Sequence, residues 1–277
     1  MQKYRLFTRR RLLLGSAAAL GAAGTGGLLL GRGGEKPAAT APLAGPQARQ
    51  ALKPSAFRLQ PLAGYGAPHS APAKPRVRHA PFVRISTRGR QMMLTFDDGP
   101  HPDYTPHILD TLAKYDVRAM FFVCGEMAVQ NKELLARMAE AGHVVGNHTW
   151  THPLLTQLRR TDIRDEMART CDVIQDAYGD RPQWFRAPYG AWNRATFQLE
   201  AELGMEPMAW THDTTDWMTP GTRTVIDRVE KNAAPGVVIL SHDAGGDRTQ
   251  SVQAIREYLP YLLDQGYHLT VPPRRRA

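Results

Sequence analysis

From residue 91 onward, short apolar runs alternate with longer stretches whose apolar residues recur at helical spacing, and this alternation leaves the chain few folds to choose from. The runs are QMMLTF, AMFFVC, HVVG, QWFR, MEPMAW, GVVIL and YHLTV. Between them lie YTPHILDTLAKYD, NKELLARMAEAG, TDIRDEMARTCDVIQDAYG, RATFQLEAELG, TRTVIDRVEKNAA and TQSVQAIREYLPYLLDQG. About seven strands that each return through a helix are expected to lie parallel, because only a crossover long enough to hold a helix joins parallel neighbours. The expected class is α/β, as an open sheet or a closed or nearly closed barrel with helices outside.

The unusual polar residues fall in register with this pattern. DDG (97–99) follows the first run, NHTWTHP (147–153) the third, RAPYG (186–190) the fourth, THDTTDW (211–217) the fifth and SHD (241–243) the sixth. The C-terminal ends of parallel barrel strands share one face, so five clusters distant in sequence are expected to meet at one mouth.

Composition sets the rest of the 277 residues apart. Residues 32–85 are rich in Pro, Ala, Gly and Arg without a sustained apolar period, which is linker chemistry unable to bury enough surface to fold. Residues 1–31 carry Arg9 and Arg10 shortly before Leu12, Leu13 and Leu14 and a Gly/Ala-rich segment. That stretch resembles a twin-arginine export signal, and an ordinary secretory or anchoring segment would read similarly. Either reading takes the folded part, residues 86–273, out of the cytoplasm, to an extracellular or surface-tethered position. Ala39-Thr40-Ala41 is followed by Pro42, a poor residue at a cleaved bond, so retention as an anchor stays open.

The formal charge of +9 conceals a split: residues 1–90 hold 16 Lys and Arg against one acid, residues 91–273 hold 16 against 25, and the tail 274–277 adds three arginines. A nucleic-acid binder would concentrate its cations on the folded part, which here is acidic. The basic arm suits anionic lipid or an anionic wall polymer, or is a plain solvated linker. The two cysteines, Cys124 and Cys171, either form a bridge or are simply buried.

His148 and His152 stand four apart, a spacing that can bring two imidazoles to one metal. Pro153 disfavours a helical His152, so a strand-end loop is expected rather than a zinc-protease helix. Two His and one carboxylate leave positions open for water or substrate, which suits Zn²⁺ or non-haem Fe(II). Of the adjacent carboxylates Asp97 and Asp98, one can ligate while the other takes a proton from water at the ion. His242 is then a candidate general acid, if a carboxylate beside it holds it protonated.

TFDDGP, HTWTHP, RAPYG, DTTDW and LSH, in this order, resemble the five motifs of NodB-type polysaccharide deacetylases, carbohydrate esterase family 4, over about residues 91–272. The resemblance implies a distorted (β/α)7 barrel, one divalent ion with Zn²⁺ as the expected species, and hydrolysis of acetyl groups. The substrate would be an N-acetylglucosamine polymer such as peptidoglycan or chitin-like oligosaccharide, with O-acetylxylan as the alternative. It implies Asp97 as base, Asp98, His148 and His152 as metal ligands, and Arg186 as holder of the base. Tyr189 would offer its backbone N–H to the oxyanion, Asp216 would tune the acid His242, and Trp217 and Leu240 would wall the acetyl methyl. Ala187 stands where proline is common, and His212 and Thr215 replace residues that are often apolar, which bears on substrate preference. A monomer is expected.

Two other classes remain to be weighed. A non-haem iron oxygenase shares the two-His-one-carboxylate set but calls for a β-rich sandwich pattern. A catalytically dead carbohydrate-binding domain would have lost a base, ligand or acid, and here none is missing.

Overall fold

The computed structural model describes residues 74–272. Eight strands alternate with seven helices: β1 (Gln91–Asp97), α1 (Thr105–Lys114), β2 (Met120–Val123), α2 (Gly125–Gln130), α3 (Lys132–Glu140), β3 (Val144–Asn147), α4 (Arg160–Tyr178), β4 (Trp184–Phe185), α5 (Arg194–Glu202), β5 (Glu206–Pro207), β6 (His212–Asp213), α6 (Thr222–Lys231), β7 (Val238–His242), α7 (Thr249–Asp264) and β8 (His268–Leu269). Every strand pairing is parallel, in the order β5-β4-β3-β2-β1-β7-β6, with β8 added beside the start of β1. The seven-strand path is a distorted half-barrel.

The strands are covered on both faces, and that is why they read as continuous apolar runs rather than alternating ones. Side chains of one parity, Met92, Leu94 and Phe96 on β1 with Phe121 and Ile239, pack outward against Ile108, Leu112, Ile255, Tyr258 and Leu259 of α1 and α7. The other parity, Met93, Met120, Phe122, Val144 and Val238, fills the interior with Met208. Two-residue periodicity carries that inner parity upward to Asp97, His148, Arg186 and His242 at the strand ends. Apolar packing below and polar groups above thus come from one alternation.

Three details depart from the sequence expectation. MEPMAW supplies only the two-residue β5, because its continuation at Met208 pairs with Phe82 instead. His212–Asp213, expected in a loop, forms β6 against β7. GEMAVQ forms α2, a helix too short to announce itself by periodicity. Of the two alternatives for the cysteines the structure has the buried one: Cys124 and Cys171 are free thiols, Cys124 against the carbonyl of His148 and Cys171 beside Asn147 and Met205.

Ordered contacts also begin before residue 86. Arg78 makes a two-pronged ion pair with Glu206, and Phe82 donates to the Pro207 carbonyl and accepts from Ala209. Ile85 donates to Gly236, and Arg84 to the carbonyl of Pro235. The segment expected as the end of the linker therefore lies along the seam between β5 and β7. The expected signal, the rest of the linker up to residue 73 and the 274–277 tail lie outside the described residues. Among the described residues no helix is long and apolar enough to cross a membrane.

Candidate active site

Arg186, at the end of β4, has no exposed surface, and a guanidinium so buried must have its donors used. Nη1 donates to Asp97 Oδ1 at 2.6 Å and to Thr95 Oγ1 at 2.8 Å, Nε to the Met208 carbonyl at 3.1 Å, and Nη2 to that of Ala209 at 2.8 Å. Its plane lies 4.0 Å from the Phe122 ring centre. Asp97, fixed by that fork, is pushed up to about 6: burial raises it, Arg186 and His242 oppose, and Asp98 adds to the rise. A carboxylate so placed can exchange a proton near neutral pH.

Beside it, Asp98 Oδ1 stands 3.5 Å from Nε2 of both His148 and His152. Four ligands at about 2.0–2.1 Å from a tetrahedral ion stand about 3.3–3.4 Å apart, so these spacings fit a bound cation. Three further features fit one. Asp98 Oδ1 is buried without a hydrogen-bond partner among the described residues. The Nδ1 of His148 lies 2.7 Å from the carbonyl of Arg186, which assigns the proton to Nδ1 and leaves the Nε2 lone pair toward Asp98. Burial, with His152 adding, holds His148 well below its ordinary pKa, and burial lowers His152 against the pull of Asp98. Neutral imidazoles are the form that ligates.

On the neighbouring strand, His242 is the register partner of Asp97. Its Nδ1 lies 2.7 Å from Asp216 Oδ1, and its own N–H donates to Oδ2 at 2.9 Å. Ser251 donates to that same Oδ2 at 2.6 Å. Burial alone would depress His242; the Asp216 carboxylate more than reverses this and raises it to about 9. Arg248 and Gln250 donate to the backbone carbonyl of Asp216 at 3.3 and 3.4 Å, which fixes the turn that carries it. The Asp216 carboxylate therefore favours the imidazolium form of His242.

The remaining expected residues lie at the same mouth. Tyr189 is 67% exposed, in a left-handed conformation, with its ring 4.7 Å from that of His152. Trp217 is 52% exposed and donates from Nε1 to Asp213. Leu240 is buried on β7, two residues below His242.

Sequence reasoning assigned no role to Asp243, which is buried and joins the loop after β7 to the DDG turn. Its carboxylate accepts from Gly99 N at 3.1 Å and from Thr105 Oγ1 at 2.5 Å. A Cβ on Gly99 would stand 2.2 Å from that carboxylate, so only glycine admits this approach. Its place directly after His242 was the one available signal. Ser251, Thr95 and Glu166 were missed as well, each lying outside the strand-end clusters.

A half-barrel that gathers an Asp/His/His cluster able to hold a metal ion, a buried carboxylate raised toward neutrality and an imidazole paired with a carboxylate fits the class of metal-dependent hydrolases acting on a carbonyl centre. Residues 84–208 match the polysaccharide deacetylase family profile. A chitooligosaccharide deacetylase of Sinorhizobium fredii is 36% identical over 202 residues, 69% of this chain and 94% of the relative. The peptidoglycan-N-acetylmuramic acid deacetylase PdaC of Bacillus subtilis is 42% identical over 185 residues, 67% of this chain and 38% of the relative. Among solved structures, a peptidoglycan N-acetylglucosamine deacetylase with a hydroxamate-type benzamide bound superposes with TM-score 0.65 and 33% identity, over 68% of this chain and 88% of that one. The chain belongs to the polysaccharide deacetylases of carbohydrate esterase family 4.

Proposed function

We propose that this chain removes the N-acetyl group from N-acetylglucosamine residues of a polysaccharide outside the cytoplasm, with Zn²⁺ held by Asp98, His148 and His152. The observation that carries the reading is the acid–base pairing at neighbouring strand ends: a carboxylate near 6 at Asp97 and an imidazolium near 9 at His242, on register partners. A bound divalent ion would supply a Lewis acid for the acetyl carbonyl and for water. Asp97 takes the proton of the attacking water, held toward the triad by the fork of Arg186. The backbone N–H of Tyr189 donates to the oxyanion. His242 gives its proton to the departing nitrogen and takes another from solvent, and the Asp216 carboxylate stabilises the imidazolium that re-forms. Exposed Trp217 and buried Leu240 wall the acetyl methyl, and one copy of the chain carries every group.

An amine leaving group needs protonation more than an alkoxide does, so an intact His242–Asp216 pair favours the amide over the ester. The names of the relatives, chitooligosaccharide and peptidoglycan deacetylases, support the same choice. Export follows from the Arg9-Arg10 segment, with the basic arm lying against anionic wall polymer or lipid. Acetate release by the Zn²⁺-loaded full chain from chitooligosaccharides, peptidoglycan and acetylated xylan, side by side, tests the proposal. Release from either of the first two is expected. Release from xylan alone makes the enzyme an O-acetyl esterase, and silence on all three overturns the reading.

A further inference from the structure

Between the two histidines of the ligand set, the backbone takes an unusual course. Thr149 and His152 both have positive φ, 69° and 57°, a region that side chains with a Cβ rarely adopt and a β-branched threonine least of all. The two residues they bracket, Trp150 and Thr151, turn their N–H groups toward α4. There the Glu166 carboxylate accepts both: Oε2 from Trp150 N and Thr151 N, each at 2.8 Å, and Oε1 from Thr151 Oγ1 at 2.9 Å. The loop's carbonyls are held from the other side, by Gly125 N on Thr149 O at 2.9 Å and Glu126 N on Trp150 O at 3.2 Å. A Cβ on Gly125 would stand 2.2 Å from the Trp150 ring, so the close seat of that ring requires glycine.

We propose that Glu166 is a positioning residue for the metal ion: by holding the Trp150–Thr151 backbone, its carboxylate keeps His148 and His152 aimed at one point. The proposal rests on the ligand reading of Asp98, His148 and His152. A loop with two left-handed residues has more relaxed backbone alternatives, and a change of φ at His152 itself moves its ring relative to Asp98. Three hydrogen bonds to one carboxylate, two of them from backbone, make those alternatives less favourable before any ion arrives. Glu166 touches neither the ion nor substrate, so its effect is carried wholly by ligand geometry.

The test is Zn²⁺ affinity of the full chain, by competition with a chromophoric chelator, for wild type, Glu166→Gln, Thr151→Val and His152→Ala, with the unfolding midpoint of each metal-free protein beside it. Glu166→Gln keeps the volume and loses the charge; its Zn²⁺ affinity is expected to fall about 10–100-fold, the range seen when groups supporting metal ligands are removed, with little change in the metal-free midpoint. Thr151→Val removes only the hydroxyl bond and is expected to cost about threefold. Wild-type affinity in folded Glu166→Gln overturns the proposal. If that variant does not fold, wild-type affinity in Thr151→Val overturns it instead. His152→Ala separates the two readings: if it too binds like wild type, the ligand set itself is wrong, whereas its loss beside an unaffected Glu166→Gln refutes the positioning role alone.

Discussion

Two buried carboxylate–cation pairs sit on adjacent strands of this barrel and have opposite electrostatics. In the first, Asp97 receives one charged donor from Arg186, whose other N–H groups go to Thr95 and to the carbonyls of Met208 and Ala209. In the second, Asp216 receives three donors: the ring and backbone of His242 and the hydroxyl of Ser251. Both carboxylates are desolvated. Burial raises Asp97 to about 6 and a shared guanidinium does not undo it, whereas the three donors overcome burial and lower Asp216. Asp216 gains the ring bond and charge of His242 together with the Ser251 hydroxyl, whereas Asp97 shares Arg186 with three other acceptors and has the negative Asp98 beside it; that balance decides which member of each pair exchanges protons. In the first pair it is the carboxylate, Asp97, and in the second it is the imidazole, His242.

The largest effect expected from breaking this arrangement is at Asp97. Asp97→Asn keeps an acceptor for Arg186 but cannot take a proton, and kcat should fall about 10²–10⁴-fold, the usual weight of a general base. Acetate release at saturating substrate measures it. A loss under tenfold would mean that the carboxylate near 6 is a bystander, and the contrast between the pairs would have no catalytic meaning.

The second pair predicts a change of profile rather than a uniform loss. The proposed mechanism requires Asp97 unprotonated and His242 protonated, so activity is expected to rise through about 6 and fall through about 9 for groups as they stand without the ion. A bound cation draws both limbs downward. Asp216→Asn removes the charge that offsets burial, and the alkaline limb should retreat below the ordinary histidine value of 6.5. At pH 8 that converts to a loss of about thirtyfold or more, shrinking as the pH is lowered. An alkaline limb unmoved in Asp216→Asn would assign it to another group.

How far the sequence announced this site depends on which atoms do the holding. Asp97, His148, Arg186 and His242 share the inner parity of short apolar strands, so a pattern of period two already places them together. Their supports leave no such trace. Glu166 lies in the middle of a long helix, where an acidic residue looks like solvent-facing surface, and Ser251 is one polar residue in the first turn of α7. Arg186 is anchored by main-chain carbonyls at Met208 and Ala209, which carry no side-chain signature. Residues 78–85 have linker composition, yet their backbone pairs with that same edge; hydrogen bonds of this kind do not depend on side-chain type. Strands of two residues, such as β5 and β6, are likewise too short for any period to show.

The balance of burial against donors and charge can be sharpened at a third buried carboxyl, away from the mouth. Glu200 on α5 accepts only a 3.3 Å bond from Trp192, its Oε1 has no hydrogen-bond partner among the described residues, and Glu206 adds negative charge nearby. With one neutral donor where Asp97 has a charged one, and no cation, it should be shifted further, and burial pushes it up to about 9. The folded value lies above the unfolded one, so its contribution is fully favourable below the ordinary 4.5 and is lost progressively as pH climbs through about 9. Glu200→Gln removes that loss. At pH 4 the variant and wild type should unfold at similar temperatures; at pH 8 the variant should be the more stable by several degrees, at about 2–4 °C for each kcal/mol in a domain of this size. Thermal unfolding at the two pH values measures it. An unchanged or lower midpoint at pH 8 would mean that burial without donors does not raise this carboxyl, and the same account of Asp97 would then lose its support.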